Sequence, residues 1–460
     1  MIPLTLADIA AAVRGTVCDG EPGTIVTAPV RHESARVEAG GLFAAFAGAR
    51  VDGHTFAAEV IAAGAAAVLA SRPVGVPAVV VDDVRDAYAL LAAEVVSRLP
   101  NLHRIGVTGS SGKTSAKDLL GRVLGRLGPT VAPPGNPYVP ETVLLATEET
   151  RFLIVELGAR RVGDIAALMP VVRPTVGVVL GVGSAHLGTF GGRDAIVAAK
   201  GELVEALPET GLAVLNADDA AVTAMAARTG ARVVTFGRHR SARVQAERVV
   251  LDGRARARFQ LRTPVGTAEV ALRLHGEHFV TAALAAAAVA LEYTHDVWLI
   301  ADALSTAAAV SPGRMRLTDR ADGVTVLDDS YSADPESMAA GLRTLTALAA
   351  GRRRTVAVLG QMTELGDASA AAHREIGRTA ARLGVDVVIT VGGSDAQTLA
   401  AAAGPDAVHV ADGEAAAERL DDVLQPGDVL LVKGSNVAEL AAGYSVRSAP
   451  PSTGRVSPVR

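Results

Sequence analysis

Short apolar runs closed by glycine or a polar residue recur along the chain, separated by stretches with helical spacing. From about residue 99 to 310 these runs include "RFLIVELG", "TVGVVLGVG", "GLAVLNADD" and "ARVVTFG". Their alternation with helical patterns predicts a mostly parallel sheet covered by helices. A more polar, β-like insert over Ala242 to Leu274 precedes an alanine-rich helix from about His278 to Leu291. Beyond residue 311, "GVTVLDDSYS", "RTVAVLGQM", "VDVVITVGG" and "DVLLVKGS" repeat the alternation as a second, smaller α/β unit, whose first strand ends in an outward-facing Asp328-Asp329. Residues 1–98 carry short strands and helices, with a helix over Thr55 to Gly64, and Leu99-Pro100-Asn101 closes that block. The expectation is an α/β chain with units at 1–98, 99–310 and 311–445, then a Pro-, Ser- and Arg-rich tail at 446–460 expected to be disordered.

One run carries chemistry of its own. "IGVTGSSGKTSAKDLLGRVL" (Ile105 to Leu124) reads as a buried strand, a glycine-rich turn and a helix opening near Gly112. Backbone N–H groups at such a helix start face an anion, and the helix dipole adds positive potential. Gly109, Ser110, Ser111 and Gly112 would wrap a nucleotide's phosphates, with Lys113 reaching the outer ones and the Thr114 hydroxyl on Mg²⁺. The general phosphate loop wants a glycine at position 107, where this chain has valine, so the motif is the shorter G-x-x-G-K-T.

Ligands of open α/β sheets bind beyond the carboxyl ends of the strands. There the chain sets Glu156 at the end of "LIVE", His186 after "VGVVLGVGSA", and Lys200 in the helix that follows. Each alone reads as an ordinary exposed residue. With Thr114, a carboxylate and an imidazole could hold Mg²⁺ around triphosphate oxygens. A kinase, a switch-type NTPase and a ligase forming an acyl phosphate share these parts, and a hinged second α/β unit that excludes water suits the ligase.

Composition narrows the partners. Of 460 residues 49% are hydrophobic and 20% charged, a soluble profile too long for one core. The net charge of −5 argues against a nucleic-acid partner. A single cysteine, Cys18, excludes an internal disulfide framework and fits a reducing cytoplasm. The opening "MIPLTLADIAAAVRG" reads as a strand and short helix rather than a signal peptide, and the apolar tract Thr281 to Leu291 is too short to span a bilayer.

The motifs together resemble the Mur ligase family from about residue 5 to 440. "TGSSGKT", "VELGA", "GSAHLGTFGGRDAIVAAKGEL", "LNADD", "GEHFVTAALAA", "SPGRM", "DDSYSADPESM", "LGQMTELGD" and "LVKGS" follow in family order. The last few, with "LFAAFAGARVDGHTF", are closest to the branch that adds D-alanyl-D-alanine. The resemblance implies a small N-terminal domain that binds a UDP-sugar, a central ATPase domain and a Rossmann-like C-terminal domain. It implies an ATP- and Mg²⁺-dependent amide ligase acting through an acyl phosphate, with UDP-N-acetylmuramoyl-tripeptide and D-alanyl-D-alanine as default substrates, in peptidoglycan synthesis. Lys113, His186, Lys200 and Arg314 would be catalytic. Thr114, Glu156, His186 and a carbamylated Lys200 would support metal. Asp329 and Tyr331 would lie by the ribose and base, and Ser34, Asp52, His54 and Asn136 by the substrate. Small-molecule substrates, no membrane span, a cytoplasmic site and a monomer go with it.

The departures from the family pattern cluster at recognition sites. The "GNxNNxxGxP" loop is here "GNPYVPETV", the uridine "DSR" is Glu33-Ser34-Ala35, and Gly181, Ala282, Ser332 and Asp334 stand where asparagines are usual. Asn436 replaces a common arginine, and no closing helix is expected after "LVKGS". Two alternatives follow: a divergent paralogue ligating another acid and amine in specialised metabolism, and a catalytically silent nucleotide-binding relative. The intact Lys113, Thr114, Glu156, His186 and Lys200 oppose the second.

Overall fold

The computed structural model describes residues 1–48, 51–434, 437, 441, 443 and 444; the expected tail at 446–460 and Asn436 lie outside the described residues. A nine-stranded sheet forms the centre. From one edge its order is Thr130–Val131, Phe152–Glu156, His103–Thr108, Val176–Val179, Leu212–Asn216, Arg232–Gly237, Val244–Leu251, Arg256–Thr263 and Gly266–His275. The first seven are parallel to their neighbours and the last two close antiparallel hairpins. The expected β-like insert is therefore a continuation of the same sheet. Its strands alternate buried and exposed positions, so one face joins the core and the other stays wet.

Strand His103–Thr108 is the point where the chain order reverses, with Phe152–Glu156 on one side and Val176–Val179 on the other. The phosphate-loop sequence leaves its carboxyl end, at the crevice such reversals create. Helix Lys113–Leu124 covers the loop's sheet and buries Ala116, Leu119, Leu120, Val123 and Leu124 against it and against helix Phe279–Ala290. Apolar spacing of 3 and 4 sets that face.

The N-terminal unit is a five-stranded sheet, Thr16–Cys18, Ala78–Val80, Ala67–Ala70, Leu42–Ala44 and Val30–Arg31, backed by helix Val84–Ser97. Its Leu42, Leu69 and Leu91 share one apolar cluster with Leu153, Val155 and Ile165 of the central unit, so the two pack as one core. The expected helix over Thr55 to Gly64 is a 3-10 turn, Gly53–Phe56, leading into helix Ala57–Ala62.

The C-terminal sheet runs Arg316–Asp319, Thr325–Asp329, Val429–Lys433, Thr355–Gly360, Val387–Val391 and Val408–Val410, parallel apart from its first pair. Two expectations are corrected here. Asp329 does not face outward: it is buried, paired in register with Lys433 of the neighbouring strand. Helical backbone also follows "LVKGS" at Ala441, Gly443 and Tyr444, with Tyr444 donating to the Ala417 carbonyl at 3.0 Å.

Candidate active site

The phosphate loop is built by backbone constraint. Gly109 has φ of +154°, and a Cβ there would meet Leu180 Cβ at 2.9 Å; Gly112 has φ of +80° at the helix start. Both conformations favour glycine. Helix Lys113–Leu124 has no side chain capping its N-terminus, which leaves its first N–H groups for an anion. Lys113 Nζ donates to the Gly109 and Ser110 carbonyls at 2.9 and 3.2 Å, and burial holds its pKa below the ordinary lysine value.

Ser110, Ser111, Gly112, Lys113, Thr114, Asn136, Glu156, His186, Lys200, Arg314 and Tyr331 all line one cavity of about 480 Å³. Sequence positions as far apart as Ser110 and Tyr331 thus meet in one space. Asp329 lines an adjoining cavity of about 290 Å³, which shares Ser111, Gly112, Thr114 and Arg314 with the first. Ser34, Asp52 and His54 line neither; they lie in the N-terminal unit. Asp52 accepts from the His54 backbone, pairs with its ring at 2.6 Å and with Arg72 at 2.6 Å, while His54 Nε2 accepts from the Ser71 N–H at 3.0 Å. These contacts lock a turn.

Within the cavity Thr114 Oγ1 donates to Glu156 at 2.8 Å and accepts from Arg314 at 2.9 Å. The Arg314 guanidinium lies 3.9 Å from the Tyr331 ring centroid, and its Nε is buried with no partner among the described residues. That unpaired donor fits an incoming oxyanion. Lys200 is 3% exposed, and no hydrogen bond or ion pair of its amine is found among the described residues. Burial, aided by the nearby Lys113 charge, pulls its pKa down to about 7. A sizeable fraction is then neutral amine near neutral pH.

The C-terminal unit brings carboxylates to the cavity and its surroundings. Asp334 accepts from Ser111 Oγ at 2.8 Å and caps helix Pro335–Ala349. Burial alone would raise its pKa, but Lys433, Ser337 and Ser111 hold it below the ordinary range. Glu336 accepts from the Ser184 N–H and hydroxyl at 2.9 Å, and Glu364 pairs with His186 and, at 3.3 Å, with Arg160. His186 and Glu364 both have φ of +62°, costly for non-glycine residues and here supported by each other. Sequence reasoning missed Glu364, Glu336 and Lys433 as site neighbours. Their motifs were visible, but only the docking of the two units makes them neighbours. Among the described residues no three His, Cys, Asp or Glu side chains form a ready metal cluster. Magnesium suits such a site, since it takes one or two carboxylates and draws further oxygens from phosphates.

Fold and site together define a nucleotide-binding α/β protein whose phosphate loop is roofed by a second α/β unit. Three family descriptions match the chain: Mur ligase family, catalytic domain, over 28–111; Mur ligase middle domain over 107–290; and Mur ligase, glutamate ligase domain, over 313–436. A UDP-N-acetylmuramoyl-tripeptide–D-alanyl-D-alanine ligase of Mycobacterium tuberculosis is 47% identical over 510 residues, covering 100% of each chain. A crystal structure of MurF from Acinetobacter baumannii superposes with a TM-score of 0.85 at 32% identity, covering 96% of this chain and 98% of that one. MurF ligase from Thermotoga maritima in complex with ADP gives 0.77 at 28%, covering 92% and 99%. The chain belongs to the Mur ligase family, and it is an enzyme of the ligase class. No helix among the described residues is long and apolar enough to cross a membrane.

Proposed function

We propose that this enzyme joins D-alanyl-D-alanine to UDP-N-acetylmuramoyl-tripeptide, using ATP and Mg²⁺, in cytoplasmic peptidoglycan synthesis. The observation that carries the reading is the convergence of Lys113, Thr114, Glu156, His186, Lys200 and Arg314 on one cavity beside the phosphate loop. Full-length identity to a ligase of that name supports the substrates. The recognition departures then count as variation within one activity, and the paralogue reading becomes an outcome of the test below.

The chain's own groups divide the work as follows. The open N–H groups of the loop and Lys113 bind the triphosphate, and the unpaired Nε of Arg314 takes an oxygen of the transferring phosphoryl group. That group passes to the substrate carboxylate, and the resulting acyl phosphate is attacked by the amine with loss of phosphate. Thr114, Glu156 and His186 would hold Mg²⁺, which supplies charge neutralisation between triphosphate and acid. Lys200 would enter as the carbamate: its neutral amine adds CO₂ and releases a proton, turning a buried cation site into a carboxylate-like one. The absence of a competing partner among the described residues and the lowered pKa support that role. Ser34, Asp52, His54 and Asn136 are retained as substrate-side residues, Asp52 and His54 by shaping the turn. Asp329 and Tyr331 are retained on the nucleoside side. The units are 1–98, 99–310 and 311–445, acting as a monomer.

The test is phosphate release from ATP and Mg²⁺ with both substrates together and singly, with the product identified by mass. Release that needs both, with the pentapeptide formed, is expected. Release that needs neither, or none from protein that still binds ATP, would sink the substrate assignment and favour the paralogue.

A further inference from the structure

Helix Lys113–Leu124 carries an ion pair that the phosphate chemistry does not use. Lys117 is 1% exposed, and its Nζ donates to Asp118 Oδ1 at 2.6 Å and to the Pro133 carbonyl at 2.5 Å. The other carboxylate oxygen of Asp118 accepts from Ser311 twice, from the hydroxyl at 2.6 Å and from the backbone N–H at 3.2 Å. Ser311 Oγ in turn accepts from the Gly135 N–H at 2.8 Å, and Ser311 is 3% exposed. Both ends of this chain of bonds stop one to three residues short of the cavity. Gly135 precedes Asn136, and Ser311 opens the Ser-Pro-Gly turn that delivers Arg314. The Gly313 carbonyl is fixed separately by the Tyr331 N–H at 3.1 Å.

We propose that Asp118 and Ser311 are positioning residues, which tie the Asn136 loop and the hinge bearing Arg314 to the phosphate-loop helix. The proposal rests on the ligase reading above. A buried lysine needs a partner, and a neutral acceptor would satisfy it less well than the adjacent carboxylate. Using that carboxylate's second oxygen for the hinge makes each bond polarise the next, so the segment is stiffer than a loop held by neutral contacts. Nucleotide and acid must meet in one geometry, and an error of an ångström at either end is costly. The bridge makes the loop on the acid side and the arginine on the phosphate side share one reference point.

Ser311→Ala tests this in the full-length chain, because it removes one hydroxyl and leaves the Lys117–Asp118 pair whole. Two readouts are taken: kcat in the complete substrate mixture, and amide hydrogen exchange of the segment 133–138 in the presence of a non-hydrolysable ATP analogue. The expected result is a kcat at least tenfold lower, faster exchange in 133–138, analogue affinity within twofold of wild type, and recovery of both readouts in Ser311→Thr. If either readout stays at the wild-type value in Ser311→Ala, or Ser311→Thr recovers neither, the proposal is overturned. A wild-type chain that makes no product in that mixture fails the ligase reading instead. Exchange alone then decides the bridge, supporting it if faster and overturning it if unchanged.

Discussion

Lys200 owes its chemistry to its surroundings. An ordinary lysine is protonated at neutral pH and cannot add CO₂; burial, with the nearby Lys113 charge, lowers this one to about 7. Between that value and the ordinary lysine range near 10.4, the folded chain binds fewer protons at this site than the unfolded chain does. Its contribution therefore makes stability rise with pH across that window, and below pH 7 the full penalty of the buried cation applies. In CO₂-free buffer, Lys200→Met should gain more melting temperature over wild type at pH 6.5 than at pH 9.5. A gain independent of pH would show that the amine is not destabilised by burial. The same substitution should abolish ligation, and added bicarbonate should stimulate wild type alone. Position 200 was legible in the sequence only through the family pattern, because a helical lysine defaults to the surface and no local signal announces a missing partner.

Elements meet at the cavity through backbone as much as through side chains. The loop carrying His186 docks on the loop carrying Glu364 so closely that a Cβ on Gly188 would lie 2.2 Å from the Gly366 nitrogen. The Gly188 N–H donates to the Glu364 carbonyl at 3.0 Å. Gly188→Ala should therefore block this closure while leaving both sheets intact. We expect kcat to fall by about tenfold or more, since closure assembles the reacting geometry. Affinity for a nucleotide analogue should stay within a few-fold, and small-angle scattering with ligands should report a larger radius of gyration than for wild type. Equal radii with a wild-type kcat would mean that this loop contact is dispensable. The strand runs and helix starts that carry these loops were readable from their apolar spacing. The contact between loops was not, because glycine at 188 reads as an ordinary turn until its neighbour is known.

At the scale of the molecule, the N-terminal unit is fastened by a buried carboxylate as well as by a shared core. Glu141, on helix Val139–Val143, is 3% exposed and pairs with Arg31 at 2.8 Å and His32 at 2.8 Å across the boundary between units. Burial would raise its pKa, yet the adjoining His32 ring and the Arg31 guanidinium hold it below the ordinary value. This pair's contribution is present above the unfolded glutamate pKa, about 4.3, and is lost as pH falls through the lower folded value. Glu141→Ala leaves Arg31 poorly compensated and should cost about 3 kcal/mol, seen as a lower denaturant midpoint. Acid sensitivity between pH 5 and 3 should shrink in the variant. If the midpoint moves by no more than a surface substitution would move it, the fastening lies in the apolar contacts alone.

The sequence by itself determined the strands and helices, the three α/β units, the phosphate loop and the residue types that could serve a nucleotide. All of these depend on short-range constraints: apolar periodicity, glycine where φ is positive, an uncapped helix start. Tertiary structure alone decided which of those residues share a cavity. It set Glu364 on His186, Asp334 on Ser111 and Lys433 on Asp329, and it turned Asp52 and His54 into a locked turn away from that space. It also decided the protonation of Lys200 and the bridge from Asp118 to Ser311. Such properties come from burial and from pairs up to 223 residues apart, and no local pattern encodes the low-dielectric surroundings that fix them.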